Sequence, residues 1–212
     1  MGQEPSRRRK NMTAEARATQ ILEGAIRFFA EFGFEGQTRE LAARLGVSHA
    51  VIYRHFASKE ELIERVYEHV YISRWRSEWD SLLTDRSRPL EERLVHFYQE
   101  YANCIFEYEW ARIFVYSGLK SYGLPHRYLS LIRSRVIRPA VVEMRRDLGL
   151  PEQLPSEAEE ELFWALHGGV FYIAIRKYVY QTSIIPEDVI GTVTRTVRAS
   201  LVGIRAQMRA GV

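Results

Sequence analysis

Apolar residues recur at intervals of three and four along most of the 212-residue chain, the spacing that places them on one face of a helix. The clearest early stripe contains Leu22, Ala25, Phe29 and Phe32, and Thr13 stands where a helix N-cap is needed. No stretch of strand length alternates cleanly between polar and apolar positions. The pattern therefore predicts an all-α protein whose first helix begins after Thr13 and ends near Phe32.

Short helices are predicted next, each bounded by residues that favour turns or caps. Gly33 supplies the left-handed conformation with which many helices end. Gly46 does the same later in the chain, and Ser58 is an N-cap followed by two glutamates that suit a helix N-terminus. These signals predict helices over 39–45, 48–56 and 58–83.

A second helical block follows the polar segment 84–89, which ends in a proline and is predicted to be a loop and a structural joint. Pro139 is expected to interrupt a helix, because proline lacks the N–H that a helix interior uses. Residues 148–156 form the clearest loop. The predicted helices of this block cover 90–108, 111–120, 126–148, 157–180 and 187–208.

Composition narrows the class of protein. Apolar residues make up 46% of the chain and charged residues 27%, as in soluble globular domains. No run of 18 apolar residues is present, so no membrane-spanning helix is expected. The N-terminus lacks the apolar segment of a secretory signal, and Cys104, the single cysteine, excludes an intrachain disulfide. A reducing, cytoplasmic location is the expectation.

The net charge of +3 is concentrated at the N-terminus. Residues 1–60 contain ten Lys or Arg and seven Asp or Glu, whereas the rest of the chain is balanced. Arg7, Arg8, Arg9 and Lys10 account for the excess. A basic arm of this kind suits an anionic partner, nucleic acid above all, although a solvated disordered terminus has the same composition.

The segment TRELAARLGVSHAVIYRHF (38–56) fits a helix-turn-helix. Ala42 is small where two crossing helices approach, and Gly46 supplies the turn four residues later. Leu41, Leu45, Val47 and Ile52 fall on the inward faces, which leaves the polar side chains of the second helix outside. A short helix with this exposed mixture suits the major groove of DNA.

The segment TRELAARLGVSHAVIYRHFASKEEL resembles the DNA-binding segment of the TetR family of bacterial transcriptional regulators, most distinctively in YRHF followed by SKEEL. The resemblance covers about residues 13–65. It implies a three-helix DNA-binding domain on a larger helical domain that binds a small ligand and dimerises. The expected division is a basic disordered arm over 1–12, a helix-turn-helix domain over 13–57, and a ligand-binding and dimerisation domain over 58–212.

Roles for individual side chains are carried over from the resemblance. Thr38 and Tyr53 resemble the family's phosphate-contacting hydroxyls, and Lys59 resembles its phosphate-contacting lysine. Arg39 and Arg54 are the candidates for bidentate contact with guanine. The complete predicted DNA-binding set is Thr38, Arg39, Ser48, His49, Ala50, Val51, Tyr53, Arg54, His55 and Lys59, with Arg7, Arg8 and Arg9 of the arm.

The chain departs from the family pattern in one place. Between Gly33 and Leu41 it is one residue shorter, because GQT (36–38) replaces a doubled threonine. A tighter entry to the second helix is expected there.

Other interpretations exist for two side-chain types. His49 and His55 could be metal ligands, but a separation of six places them on different helix faces, and no acidic or cysteine partner is near. No metal or cofactor is therefore predicted. Tyr53 could simply pack in the core, as Phe56 is expected to do.

The second block is rich in aromatic residues. They could build only a bundle core, or they could line an apolar cavity for a small aromatic or hydrophobic effector, with His96 or His167 orienting it. The predicted pocket consists of Trp75, Trp79, Phe97, Tyr101, Trp110, Phe114, Trp164, His167 and Phe171.

The last two helices carry apolar stripes beside Gly168 and Gly169, which permit close approach. Such helices can form a four-helix interface with a second copy, although packing within one chain is the alternative. The predicted interface consists of Phe163, Leu166, Val170, Val193, Val197, Leu201 and Ile204.

The leading hypothesis is a dimeric repressor that binds a palindromic operator in double-stranded DNA and is released by a small molecule. The long helix 58–83 is the expected lever, because it would join Lys59 to Trp75 and Trp79. A ligand-independent architectural DNA-binding protein is the alternative. An enzyme is not predicted, since the chain has no Gly-rich phosphate loop, nucleophile elbow or Glu-x-x-His pair.

Overall fold

The computed structural model describes residues 12–119 and 123–211, and this part of the chain is helical and contains no strand. The prediction of an all-α fold is confirmed. The helices are α1 (Ala14–Phe32), α2 (Thr38–Leu45), α3 (His49–His55), α4 (Lys59–Tyr67), α5 (Ser77–Thr84), α6 (Leu90–Ile105), α7 (Tyr108–Leu119), α8 (Leu124–Ile132), α9 (Arg138–Asp147), α10 (Glu157–Ala174) and α11 (Val189–Ala210). Three π-helical turns extend α4, α8 and α10, over Glu68–Ile72, Arg133–Ile137 and Ile175–Val179. No helix in the described ranges is long and apolar enough to cross a membrane.

Helix α1 begins and ends where its sequence signals predict. The Thr13 hydroxyl accepts a hydrogen bond from the Ala16 N–H at 3.2 Å, and Gly33 ends the helix with a φ of 70°. Ala25 and Phe29 are buried. Phe32, predicted on the same face, is exposed instead, and its ring lies 4.3 Å below the Arg44 guanidinium. The apolar stripe of α1 is therefore narrower than predicted.

The fourth predicted helix is broken. It was expected to continue to residue 83, but α4 ends at Tyr67 in a π turn, and α5 begins only at Ser77. The Ser73 hydroxyl donates to the carbonyl of His69 at 2.7 Å, a side-chain bond that competes with helix continuation. Arg76 then has an extended backbone. Lys59 consequently lies on α4 and Trp79 on α5, with Trp75 in the segment between the π turn and α5. The prediction of a continuous lever is wrong.

The proline interruption is confirmed. Pro139 stands in the first turn of α9, where its missing N–H leaves no helical hydrogen bond unmade. The turn immediately before it is the π turn Arg133–Ile137. The predicted loop 84–89 begins one residue later than expected, because Thr84 is the last residue of α5. The predicted loop 148–156 lies between α9 and α10.

Helix α6 lies at the centre of the larger helical block. Leu94, Phe97, Tyr98 and Tyr101 are all buried, and α11, α5, α9 and α10 pack around them. Helix α1 packs against α4 and α7, so the N-terminal helices are joined to the block on that side.

The residues predicted for the dimer interface are buried inside the chain itself. Helix α11 turns its apolar stripe to α6 and α10. The seven side chains, each at most 4% exposed, are Phe163, Leu166, Val170, Val193, Val197, Leu201 and Ile204. This corrects the prediction, because a side chain that is already buried by its own chain cannot also contact a second copy.

Candidate nucleic-acid interface and aromatic cluster

The turn between α2 and α3 is built by Gly46. Its φ of 64° and ψ of 32° are left-handed, and the Val47 N–H returns to the Ala42 carbonyl at 3.0 Å. Ala42 and Ile52 are buried between the helices, as predicted. Leu45 packs over Gly24 of α1 so closely that a Cβ on Gly24 would overlap it. The pair is therefore held firmly against α1.

The exposed face of this unit contains much of the predicted DNA-binding set. Arg39, Ser48, Ala50, Tyr53 and Arg54 are exposed, and the partly buried members are His49, Val51, His55 and Lys59. Among the described residues, neither Arg39 nor Arg54 has an ion-pair partner within 4 Å. Two guanidinium groups are thus available to a partner outside the chain.

Three members of the predicted set bind one another. The Thr38 hydroxyl lies 2.9 Å from His49 Nε2 and 3.1 Å from the Tyr53 hydroxyl, and the His49 and Tyr53 rings meet edge to face at 4.8 Å. Thr38 itself is buried. We call these residues the Thr38 cluster. It ties the start of α2 to α3, a role for His49 that the sequence did not indicate.

The short connection before α2 follows from close packing. A Cβ on Gly36 would lie 2.7 Å from the Phe28 ring atom Cζ, so only glycine lets the chain cross that ring. Thr38 is the first residue of α2. The tight entry expected from GQT is present, and it is what brings Thr38 to His49 and Tyr53.

Capping differs between the two serines. Ser48 occupies the N-cap position of α3, but its hydroxyl makes no capping hydrogen bond. The Ser58 hydroxyl accepts from the Glu61 N–H at 3.1 Å, and the Glu61 carboxylate accepts from the Ala57 N–H at 2.6 Å. Reciprocal bonds of this kind fix the start of α4, and hence the position of Lys59.

Two further predictions concern the arm and metals. Arg7, Arg8 and Arg9 lie outside the described residues. Among the described residues, no group of three or more His, Cys, Asp or Glu side chains is placed to hold a metal ion.

The structure brings the predicted pocket residues together as one aromatic cluster. Trp79, Phe97, Tyr101, Trp110 and His167 are buried in it. One chain of ring contacts, with centroids 5.2–5.7 Å apart, passes from Trp75 through Trp79, Phe97, Tyr101 and His167 to Trp164.

A second group of rings completes the cluster. Trp110, Phe114 and Phe171 contact one another at 5.4–5.7 Å. Tyr71 and Tyr128 belong to the same group, and the Tyr128 hydroxyl is 2.9 Å from that of Tyr101. The sequence reasoning missed these two tyrosines. Their positions on the buried faces of the first π turn and of α8 are the signal that could have found them.

His167 is the titratable group at the centre of the cluster. Its Nε2 lies 3.4 Å from the Tyr101 hydroxyl, and burial lowers its pKa to about 4. The imidazole is therefore neutral at pH 7. His96, the other candidate, is exposed and lines an open groove beside α5.

Helix α7 joins the aromatic cluster to α1. Arg112 donates from Nε to the Ala30 carbonyl at 2.6 Å and from Nη2 to the Tyr116 hydroxyl at 2.7 Å. Its guanidinium also lies over the Tyr108 ring. A cation at a helix C-terminus is favoured by the helix dipole, so Arg112 binds the last turn of α1 to the helix that carries Trp110.

Comparison with known proteins agrees with this geometry. Residues 21–66 match the family model described as bacterial regulatory proteins, tetR family. The resemblance to the TetR family is confirmed. The TetR-type segment contains the whole α2–Gly46–α3 unit and the start of α4.

Curated relatives match over short stretches of the chain. The HTH-type transcriptional repressor AcnR of Corynebacterium diphtheriae is 47% identical over 53 residues, which are 24% of this chain and 28% of the relative. The HTH-type transcriptional repressor Rv3405c of Mycobacterium tuberculosis is 40% identical over 65 residues, 30% of this chain and 35% of the relative. The matches thus span about a third or less of these two relatives, both of which are named as transcriptional repressors.

Solved structures match over nearly the whole chain. A TetR family transcriptional regulator from Pseudomonas syringae has a TM-score of 0.58 at 18% identity, covering 91% of this chain and 96% of that one. AmtR of Mycobacterium smegmatis has a TM-score of 0.58 at 21% identity, covering 98% and 99%. At such identities the likeness establishes the fold alone, which is the all-helical fold of TetR-type regulators.

Proposed function

We propose that this protein is a sequence-specific transcriptional repressor that binds a palindromic operator as a dimer and is released by a small apolar or aromatic molecule. The observation that carries the proposal is the rigid α2–Gly46–α3 unit with the unpaired Arg39 and Arg54 on its exposed face. A short helix with exposed guanidinium groups suits the major groove, where arginine binds the O6 and N7 of guanine.

The remaining contacts divide into phosphate and base contacts. Tyr53 and Lys59 are proposed to bind phosphates, and Ala50, Val51 and His55 to meet base edges with the two arginines. Ser48 belongs to the same exposed edge. The Thr38 cluster supports a second role for Thr38 and His49. The Thr38 hydroxyl is hydrogen-bonded to His49 Nε2 and to the Tyr53 hydroxyl. In this proposal they orient the Tyr53 hydroxyl as well as approaching DNA themselves.

A basic arm over residues 1–12 with Arg7, Arg8 and Arg9 remains part of the proposal, as does the division of the chain after residue 57. The arm would add salt-sensitive phosphate contacts beside the helix-turn-helix. The arm should therefore raise the affinity for DNA of any sequence and leave the sequence preference unchanged.

We propose that dimerisation uses the outer faces of α10 and α11 in place of their buried stripes. Small residues are exposed there, namely Ala165 and Gly168 on α10 and Ala199, Gly203 and Ala206 on α11. A Cβ added to Gly168 or Gly203 would meet nothing within 4 Å, so packing inside the chain does not require glycine. Glycine inside a helix costs about 1 kcal/mol relative to alanine, and close approach of a second copy would explain its presence.

We propose that the effect of ligand binding reaches the DNA-binding helices through α7, and not through a continuous fourth helix. Trp110 and Phe114 of α7 lie in the aromatic cluster, while Arg112 of the same helix holds the last turn of α1. A ligand that displaces the rings would therefore shift the helix that positions α1.

The proposed function is tested by selecting bound duplexes from random DNA with the full chain and no added ligand. We expect a palindromic consensus with guanines at the positions facing Arg39 and Arg54. A selection that returns duplexes without any shared sequence would overturn the proposal and leave an architectural DNA-binding protein.

The role of α7 has its own test, hydrogen exchange of the backbone amides around residues 30–36. In Arg112→Ala we expect faster exchange there, because the Ala30 carbonyl loses its donor. Arg195→Ala is the matched control, because Arg195 is an exposed arginine on α11, a helix distant in sequence from residues 30–36. Equal exchange in the two variants would contradict the role of α7.

A further inference from the structure

Four of the eight buried side-chain polar atoms that lack a hydrogen-bond partner in the described residues lie in the aromatic cluster. Within the described residues, Trp75 Nε1, Trp79 Nε1, Tyr98 OH and His167 Nδ1 are buried and have no partner. The same region satisfies other polar atoms well, since Tyr101 and Tyr128 bind each other and Tyr71 donates to the Trp110 carbonyl at 2.9 Å. Buried polar groups without hydrogen-bond partners destabilise a fold, so the presence of four such groups in one cluster requires an explanation.

Three of these groups surround a single side chain. The rings of Trp79, Tyr98 and His167 lie 6.0, 6.4 and 5.2 Å from that of Tyr101. A small molecule that inserted beside Tyr101 would lie next to these three rings. This is the arrangement of a binding site in which apolar walls carry a few polar groups.

The charged groups beside the cluster are already paired. Arg76 lies over the Trp79 ring and binds Glu100, and Arg135 lies over the Trp75 ring and binds Asp80 at 2.9 Å. The buried carboxylates of the larger block are bound to arginines elsewhere: Glu143 to Arg93 at 2.9 Å, Glu159 to Arg145, and Glu160 to Arg138 at 2.8 Å. His167 is neutral at pH 7, as shown above. An ionised ligand beside Tyr101 would bury its charge without a partner, which is strongly unfavourable.

The unpaired atoms also determine which polar group the ligand must carry. An indole Nε1 can only donate, and a tyrosine hydroxyl can donate or accept. Two of the four atoms are indole donors, so an acceptor oxygen on the ligand satisfies them and a donor does not.

We propose that the site beside Tyr101 binds a neutral aromatic molecule with a carbonyl or similar acceptor oxygen, which accepts from Trp79 Nε1 and from Tyr98 OH. The inference rests on the proposed effector response and specifies the ligand class. Anionic aromatic acids and quaternary ammonium ions are excluded as the preferred ligands.

The helices around the site are suited to opening it. Tyr71 lies in the first π turn, and the helices that carry Tyr128 and Phe171 each end in one. Single π turns are frequent at functional sites. The helix can gain or lose the extra residue of such a turn. Three of them around one cluster provide the movement that a packed set of rings requires.

Four probes of matched size test the ligand class. Acetophenone is neutral with an acceptor, benzoate is anionic, phenyltrimethylammonium is cationic, and ethylbenzene has no polar group. Binding to the full chain at pH 7.5 is measured by ligand-observed NMR titration. We expect acetophenone to bind at least tenfold more tightly than either ion and several-fold more tightly than ethylbenzene.

Variants locate the site. Trp79→Phe and Tyr98→Phe each remove a donor and keep a ring, so both should weaken acetophenone several-fold and leave ethylbenzene unchanged. Tyr180→Phe is the matched control, because that tyrosine is exposed on the surface, and it should change neither probe. If Trp79→Phe fails to fold, Tyr98→Phe still decides the question.

Three results would overturn the inference: an ion that binds as tightly as acetophenone, donor deletions that weaken acetophenone and ethylbenzene equally, or no saturable binding of any probe. Each is independent of the proposed function, which the operator selection tests without ligand. A palindromic consensus together with any of these results would refute only the ligand class.

Discussion

The exposed face of α2 and α3 and the aromatic cluster use their side chains in opposite ways. On the face of α2 and α3, Arg39 and Arg54 are exposed and have no ion-pair partner among the described residues. In the cluster, Phe97 and Tyr101 are buried and stack on each other at 5.6 Å. A residue of the first kind can change binding while the fold is kept, whereas a residue of the second kind contributes to both.

This difference explains why one region was assigned residue by residue and the other only as a group. The exposed face depends on individual side chains at fixed positions in a short motif. The cluster depends on which rings meet across helices that are far apart in the sequence. Comparing substitutions in the two regions should therefore separate effects on stability from effects on DNA binding.

The largest effect is expected for Phe97→Ala. Phe97 is fully buried and contacts Trp79, Tyr98 and Tyr101, so removing the ring should lower the free energy of unfolding by about 3–5 kcal/mol. Chemical denaturation measures this. Leu119→Ala, at a leucine that is mostly exposed, should change stability little. Equal losses in the two variants would show that the cluster is not the core we describe.

The next effect is a pH dependence that originates in the same cluster. Burial lowers the pKa of His167 from 6.5 to about 4, so the unfolded chain takes up a proton near pH 6.5 and the folded chain only near pH 4. Stability should therefore fall as the pH drops from 6.5 towards 4, by about 3 kcal/mol in total.

The variant His167→Gln should flatten the dependence between pH 6.5 and 4.5. Below that window the arginine-bound carboxylates add to the loss. Hydrogen bonds from Arg86 and Arg93 to Glu143, and from Arg133 and Arg138 to Glu160, hold the pKa values of these carboxyls below their usual range, despite burial. Thermal melts at several pH values measure both effects. An unchanged slope in His167→Gln would contradict the buried neutral imidazole.

On the exposed face, Arg54→Ala should leave the melting temperature unchanged. It should weaken binding of the selected operator by about 10- to 100-fold per half-site, as expected for one bidentate guanine contact of about 1–3 kcal/mol in each. Fluorescence anisotropy with labelled duplexes measures the loss. The control is Arg146→Ala, at an exposed arginine on α9. A loss that is equally large on scrambled DNA would reassign Arg54 to the phosphates.

The smallest effect concerns the Thr38 cluster, where stability and binding overlap. Thr38→Val keeps the shape and removes the hydroxyl that bonds His49 and Tyr53, so both stability and operator binding should fall by about 1 kcal/mol. Thr38→Ser restores the hydroxyl and should recover both. If Thr38→Val behaves as the native protein in melts and in binding, the cluster has no orienting role.

Local signals were sufficient for much of the fold. Thr13, Gly33 and Gly46 act within a few residues of themselves, through a cap or a left-handed backbone, and the structure has each where the sequence predicts it. The break after Tyr67 could not be predicted in the same way. It depends on Ser73 bonding a backbone carbonyl and on a π turn, and neither changes the apolar spacing.

The apolar stripes of α10 and α11 show a different limit. Spacing identifies a buried face, but it does not say whether the same chain or a second copy covers that face. Val193 and Leu201 are covered by the chain's own helices, and only the structure reveals small residues such as Gly203 on the opposite side. Likewise, Tyr71 and Tyr128 join the aromatic cluster through contacts that link distant segments.

The central claim is that two copies of the α2–α3 unit read the two halves of one operator. The most direct measurement compares the affinity of the full chain for the selected palindrome with its affinity for the same duplex after one half-site is scrambled, at fixed salt. We predict a loss of at least 100-fold, because one recognition helix of each dimer would be left with phosphate contacts alone. Equal affinity for the two duplexes would contradict the account.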